Sequence, residues 1–143
     1  RAEFVLLQHT LAGRGRLEYE GTRHVVEPGR TLLLHFPHDN RYWVEPGERW
    51  SFFWLCMNGG EVLRAWRHAE SALGPVATLE AGPLAAAAEA CGAVLRGEVG
   101  GAGHASALAY TVAMRLLDQA VAAGPVERGE RDEAIQRAID LCR

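Results

Sequence analysis

The sequence contains no lysine, and its fifteen basic residues, all arginine, are outnumbered by eighteen acidic residues. The formal net charge is therefore -3 at pH 7, and the pI is near 6.1. Proteins that bind nucleic acid need clustered positive charge to neutralise phosphates. If the protein meets DNA, this part of the chain is not expected to be the part that touches it.

Cysteine is scarce and no apolar run is long. The three cysteines, Cys56, Cys91 and Cys142, are an odd number without C-x-x-C spacing, which predicts reduced thiols instead of a disulfide framework or a zinc site. No run approaches the roughly eighteen apolar residues of a membrane helix, and no signal peptide is visible. We predict a cytoplasmic protein without a membrane partner. The chain has no initiator Met and is expected to be part of something longer.

Two Glu-Pro-Gly turns stand out in the first half, with Pro28 and Gly29 in one and Pro46 and Gly47 in the other. Proline presets the first corner of a turn, and glycine accepts the positive φ of the second corner in a type II turn. The apolar runs around them are too short for buried helices. The pattern predicts a small antiparallel barrel or sandwich.

Alternating side chains define the expected strands of this half. They cover residues 3–11, 16–20, 24–26, 30–36, 41–44 and 48–57. A turn is expected at residues 13–15. Both faces of the last strand are apolar, so we expect it to lie between the barrel interior and a packed helix.

The second half is Ala-rich and follows helical periods. We predict a short helical turn within residues 59–69, a helix over 83–96 and a longer one over 104–122. Gly124 and Pro125 are expected to end that helix before another starts at residue 129. The longest helix carries two apolar stripes: one of Ala107, Tyr110, Met114, Leu117 and Val121, and one of Leu108, Val112 and Leu116. One stripe can pack on the barrel while the other meets a partner subunit.

The order of these signals resembles the N-terminal effector-binding and dimerisation domain of AraC-family bacterial transcription regulators. The resemblance is carried by Gly13, Gly15, Gly21, Pro28, Gly29, the segment 36–43 (FPHDNRYW), Pro46, Gly47 and the aromatic strand 50–54. It covers residues 3–68 closely and residues 82–123 by helix order. The implied α+β fold is a cupin-like antiparallel β-barrel (jelly roll), then an antiparallel helical pair and the start of a third helix.

The resemblance also implies an organisation of the chain. Residues 1–70 would form the effector-binding barrel, 71–126 the helical dimerisation region, and 127–143 a linker and first helix. The segment 131–143 looks like the opening of a paired helix-turn-helix domain that lies beyond this chain. The implied partners are a second copy of the chain, a small-molecule effector, and promoter DNA through the missing domain.

Metal binding and catalysis have little support in the sequence. His35 and His38 are the closest histidine pair, but three residues apart in an extended chain they point to opposite faces unless Pro37 realigns them. The His-x-His-plus-Glu spacing of metal-binding cupins is missing, and so is a G-x-S-x-G elbow. We expect no metal, no cofactor and no enzymatic activity. The alternative from another class is a stand-alone cupin enzyme, such as a metal-dependent isomerase or dioxygenase.

The barrel interior is the predicted ligand site, because small barrels either fill with side chains or hold one small ligand. The candidate ligand-binding residues are Gln8, Thr10, Tyr19, His38, Tyr42 and Trp54. For Tyr19 and Trp54 among them, as for the phenylalanines, a plain core role is an equal alternative. The predicted homodimer contact consists of Leu108, Val112, Leu116 and Leu117.

Overall fold

The computed structural model of the chain describes residues 3–141, with side chains described for 3–123 and 140. This part of the chain contains seven β-strands and three α-helices. The strands are β1 (Phe4–Gly13), β2 (Gly15–Tyr19), β3 (Thr22–Val26), β4 (Thr31–Phe36), β5 (Asn40–Trp43), β6 (Trp50–Met57) and β7 (Val76–Ala77). The helices are α1 (Gly60–Leu73), α2 (Ala81–Leu95) and α3 (Ala102–Leu141).

The strands form two antiparallel sheets that face each other. One sheet has the order β6-β1-β4-β7 and the other β3-β2-β5. Leu6, Leu17, Val26, Leu32 and Leu34 come from both sheets and form the buried cluster between them. This is the cupin-like α+β architecture that the sequence predicts, with helices following the strands.

Alternation along β1 divides the protein into its two cores. Leu6 faces the opposite sheet, whereas Val5 and Leu7 are fully buried against the helices on the other face. The helical core includes Trp66 of α1 and Leu116 of α3, each without exposed surface. Burying both faces of one strand requires apolar residues at successive positions, which is why the segment 4–7 (FVLL) is almost continuously hydrophobic.

Strand β6 lies at the edge of its sheet. The sequence predicts that both of its apolar faces are covered, but in the structure one face stays open. Phe53, Leu55 and Met57 pack against the helical core. Trp54 on the other face is 54% exposed, and Cys56 beside it is also exposed. The second apolar face of β6 therefore borders a cavity and is not a filled interior.

The expected turn at residues 13–15 is shorter in the structure. Strand β1 runs to Gly13 and β2 begins at Gly15, so only Arg14 lies between them. Gly13 and Ala12 pair with Trp50 and Ser51 of β6 beyond a register shift near Thr10. The added pairing with β6, which local sequence does not show, extends the strand through the glycine.

Helix α1 differs from the sequence prediction more than any other element in the first half of the chain. The expected short turn is a helix of 14 residues that packs its buried face, including Val62, Ala65 and Trp66, into the helical core. The short strand β7 follows it and pairs with β4 through Ala77 and Thr31. No sequence signal predicted β7, because two residues are too few to show alternation.

Helix α3 continues through Gly124 and Pro125, where the sequence predicts an end, and reaches Leu141. Ala-rich and charged segments of good helix formers lie on both sides of this dipeptide. Their summed helical preference opposes the local turn signal. The apolar side chains of the predicted last helix, and Cys142, lie outside the described residues. None of the described helices is both long and apolar enough to cross a membrane.

Candidate functional site

A cavity of about 480 Å³ opens between the two sheets at the edge formed by β6. Its lining consists of Phe4, Leu6, Gln8, Phe36, Tyr42, Phe52, Trp54 and Cys56. The even-numbered residues of β1 and β6 share this face because side chains alternate along a strand. The register places Gln8 opposite Trp54 and Leu6 opposite Cys56. The volume is within the range of small-molecule sites.

Aromatic rings form most of the cavity wall. The rings of Phe4 and Phe36 stack at a centroid distance of 4.7 Å and an angle of 12°. Trp50 lies behind the wall and meets Phe52 and Tyr42 at 5.0 Å and 6.2 Å, in edge-on contacts. These ring pairs hold the wall in a defined geometry before any ligand arrives.

Three of the aromatic side chains that line the cavity are exposed, namely Phe4 at 36% and the two most exposed, Tyr42 and Trp54. Tyr42 is 42% exposed and Trp54 is 54% exposed. Large apolar side chains grouped at one opening are typical of a binding site. All eight lining residues are uncharged, and partial burial raises the pKa of the Cys56 thiol, which keeps it neutral.

Gln8 provides a polar group deep inside this apolar wall. The side chain is 2% exposed, and its amide nitrogen is buried with no hydrogen-bond partner. An unpaired buried donor costs about 1–3 kcal/mol. Gln8 is a cavity-lining residue, so a rotation of its carboxamide would present this unpaired donor to a molecule in the cavity.

A separate polar cluster joins the barrel to helix α1. Glu70 of α1 lies with Oε2 2.7 Å from His35 Nδ1, and Tyr19 donates its hydroxyl to the same oxygen over 3.2 Å. The other oxygen, Oε1, is buried without a partner. Burial raises the pKa of Glu70 above its usual range, against the opposing effects of His35 and Tyr19. Burial and the Glu70 charge raise the pKa of Tyr19 to about 12.

His38 belongs to this cluster as well. Its ring lies 4.6 Å from the ring of Tyr19 and 4.5 Å from that of His35. Its Nε2 is 3.3 Å from Glu20 Oε1, in an orientation that makes no hydrogen bond. The chain bend at Pro37 thus brings together the two histidines that the strand period separates. Among the described residues, no group of three or more His, Cys, Asp or Glu side chains is arranged to hold a metal ion.

The predicted ligand-binding residues separate into three places. Gln8, Tyr42 and Trp54 line the cavity. Thr10 lies buried beneath it, where its hydroxyl accepts a hydrogen bond of 3.0 Å from Trp50 Nε1. Tyr19 and His38 lie in the polar cluster with Glu70 and do not line the cavity.

Five cavity residues were missed by the sequence analysis. They are Phe4, Leu6, Phe36, Phe52 and Cys56. Four of them lie on the same strand faces as Gln8 and Trp54, so the two-residue alternation of β-strands predicts their position. Phe36 follows only from the pairing of β4 with β1, which sets Phe36 opposite Phe4.

The residues predicted for the dimer contact are used within the protomer. Val112 and Leu116 are buried, at 1% and 0% exposure, and Leu108 and Leu117 pack half-buried against the same core. The stripe turns inward because α3 contacts both α1 and α2. The short helical turn that the sequence predicts in place of α1 would not have covered this stripe of α3. The homodimer itself stays a prediction.

The comparison with known families agrees with this architecture. A family model for the AraC-like ligand binding domain matches residues 1–139. No curated protein matches the chain at a significant level. The match spans both sheets and the helices packed on them, and the chain therefore belongs to the family of AraC-like ligand binding domains.

Proposed function

We propose that the chain is the effector-sensing and dimerisation domain of a bacterial AraC-family transcription regulator, and that its effector binds in the cavity beside β6. The observation that carries the proposal is the aromatic cavity with an unpaired buried amide at Gln8. A cavity that only completed the core would be closed and would pair its polar groups. Tyr42 and Trp54, exposed at the mouth, give a ligand access.

The alternative function, a stand-alone cupin enzyme, has weaker support. The cavity lining contains no carboxyl or imidazole group to act as general acid or base. Glu70 and His35 form the nearest arrangement of that kind, but they lie in the other cluster, at the junction with α1. The family to which the chain belongs is a regulatory ligand-binding family.

Coupling from the cavity to the rest of a regulator has a short physical route in this fold. Trp54 and Cys56 face the cavity, whereas Leu55 and Met57, between and beside them on β6, pack against the helical core. A ligand that shifts β6 by a small amount would act on α2, which contacts β6, and through α2 on α3. Its effect is limited by the difference in its affinity for the two arrangements. Promoter DNA would be bound by a domain beyond this chain.

Dimerisation is proposed to use the other stripe of α3. Tyr110 and Val121 are 52% and 47% exposed, and they lie on one face because a spacing of eleven residues is close to three full turns, about 10.8 residues. Met114 lies between them, half-buried beside α1. Within residues 102–123 of α3, whose side chains the structure describes, this stripe is an exposed apolar surface available to a second copy.

A metabolite screen tests effector binding. A ligand at 100 times its Kd stabilises the folded state by about 2.7 kcal/mol, which a thermal unfolding assay detects. The stabilisation should be lost in Trp54→Ala and kept in the matched control Trp43→Ala, since Trp43 lies on β5 outside the cavity. Stabilisation that survives in Trp54→Ala would place the effector elsewhere.

The division of labour between domains has its own test. With eighteen acidic and fifteen basic residues, the 143-residue chain should give no shift with promoter DNA at physiological salt, whereas the full-length regulator should. A sequence-specific shift by the chain alone would contradict the proposed separation of sensing and DNA reading.

A further inference from the structure

We infer that the cavity beside β6 selects an uncharged, flat and largely apolar molecule that presents a hydrogen-bond acceptor to Gln8. The inference rests on the proposed function and narrows its ligand class. It follows from three properties of the lining: its charge, its shape and its one buried unpaired donor.

The lack of charged side chains in the lining excludes charged ligands. None of its eight side chains carries a charge, so a bound carboxylate would find no cation and a bound ammonium no carboxylate. Burying an unpaired ion is far more costly than burying a neutral polar group. The exposed aromatic rings at the mouth could attract a cation, but such a contact contributes only about 0.5–1 kcal/mol at an exposed site, which is less than the cost of burying an unpaired ion.

The shape and polarity of the lining favour a flat apolar molecule over a sugar. Rings of Phe4, Phe36, Tyr42, Phe52 and Trp54 supply broad apolar faces. Only four lining side chains carry polar atoms, namely Gln8, Tyr42, Trp54 and Cys56. A molecule with many hydroxyls would leave several of them unpaired on burial, and each would cost about 1–3 kcal/mol.

Gln8 then acts as the specificity-determining residue. Its amide nitrogen is the buried donor without a partner in the wall, and its backbone is fixed in β1 between β4 and β6. A ligand with a carbonyl oxygen at this depth pairs the donor. A ligand of the same shape without an acceptor leaves it unpaired and binds less tightly.

Calorimetric titration of the 143-residue chain with four two-ring probes and one sugar tests this. The probes are naphthalene, coumarin (a neutral ring pair with a carbonyl), 2-naphthoate, 2-naphthylmethylammonium and glucose. In Gln8→Leu the ratio of coumarin affinity to naphthalene affinity should fall by about two- to tenfold relative to the unmodified chain, the value of one hydrogen bond. Naphthalene itself should bind equally well or better. If Gln8→Leu does not fold, the unbranched Gln8→Met replaces it.

The other outcomes separate the role of Gln8, the ligand class and the location of the site. An unchanged ratio in the Gln8 variant would overturn the role of Gln8. Tighter binding of the carboxylate, the ammonium or glucose than of coumarin, lost in Trp54→Ala, would overturn the ligand class and leave the cavity as the effector site. If no probe shows binding that depends on Trp54, with Trp43→Ala as control, both the ligand class and the cavity itself are wrong.

Discussion

Substitution of Gly15 by alanine should destabilise the barrel because there is no room for a methyl group at this position. Gly15 is buried in β2, and a Cβ atom at this position would overlap the indole ring of Trp50. Its φ is not in the left-handed region, so the substitution tests packing and not backbone strain. The indole must move, which endangers its 3.0 Å hydrogen bond to Thr10.

The expected size follows from these two losses. Overpacking in a core costs about 1–3 kcal/mol, and a hydrogen bond contributes about 0.5–1.5 kcal/mol. The lower conformational entropy of the unfolded alanine variant offsets about 0.4–1 kcal/mol of this destabilisation. The net loss should be about 1–3 kcal/mol, a large part of the usual stability of a domain. Because Trp50 supports Tyr42 and Phe52 in the cavity wall, ligand affinity should fall as well.

Urea unfolding followed by tryptophan fluorescence measures this loss. With a slope of about 2 kcal/mol per M, the midpoint should fall by about 0.5–1.5 M at unchanged slope. The matched control is Gly103→Ala near the start of α3, where a Cβ meets open space. There alanine should leave stability equal or raise it by up to about 1 kcal/mol. If Gly15→Ala is as stable as this control, the argument from the Trp50 contact fails.

Three further predictions concern the polar cluster, the helices and assembly. Because burial raises the pKa of Glu70, the unfolded carboxyl ionises near its ordinary value of 4.5 while the folded one stays protonated to higher pH. Its stabilising contribution is therefore present in acid and lost as pH rises through the folded pKa, so wild-type stability relative to Glu70→Gln should decline as pH rises above 4.5 and level off above the raised folded pKa; a constant difference in urea unfolding would contradict this. Gln119 makes hydrogen bonds of 2.8 Å and 3.0 Å to backbone groups before α2, so Gln119→Leu should lower the unfolding free energy by about 1–3 kcal/mol, and an unchanged urea midpoint would show that these bonds contribute nothing. Tyr110→Glu should give folded monomers in sedimentation, whereas Leu116→Glu, with no exposed surface, should unfold by circular dichroism; a dimer that persists in Tyr110→Glu would move the interface elsewhere.

Local pattern was enough to place most strands, because it depends on a period that each strand carries by itself. The alternation in residues 4–10 separates Gln8 from Val5 and Leu7 without any tertiary information. The same rule failed for His38, whose ring reaches Tyr19 and His35 at the bend near Pro37. A period holds only while the chain stays extended.

The composition and the turn signals determined the α+β class, the approximate positions of the first six strands and the lack of the positive charge that DNA binding needs. The sequence shows two apolar stripes on α3. Only the tertiary structure decided that the stripe of Leu116 is buried and that Tyr110 on the other stripe is exposed. It also decided that Glu70, unremarkable in an Ala-rich helix, meets Tyr19 and His35. Such choices depend on contacts between residues distant in sequence, here 51 and 35 positions apart. The free energy of such contacts is set by burial and partner geometry, and neither quantity is written in the local pattern.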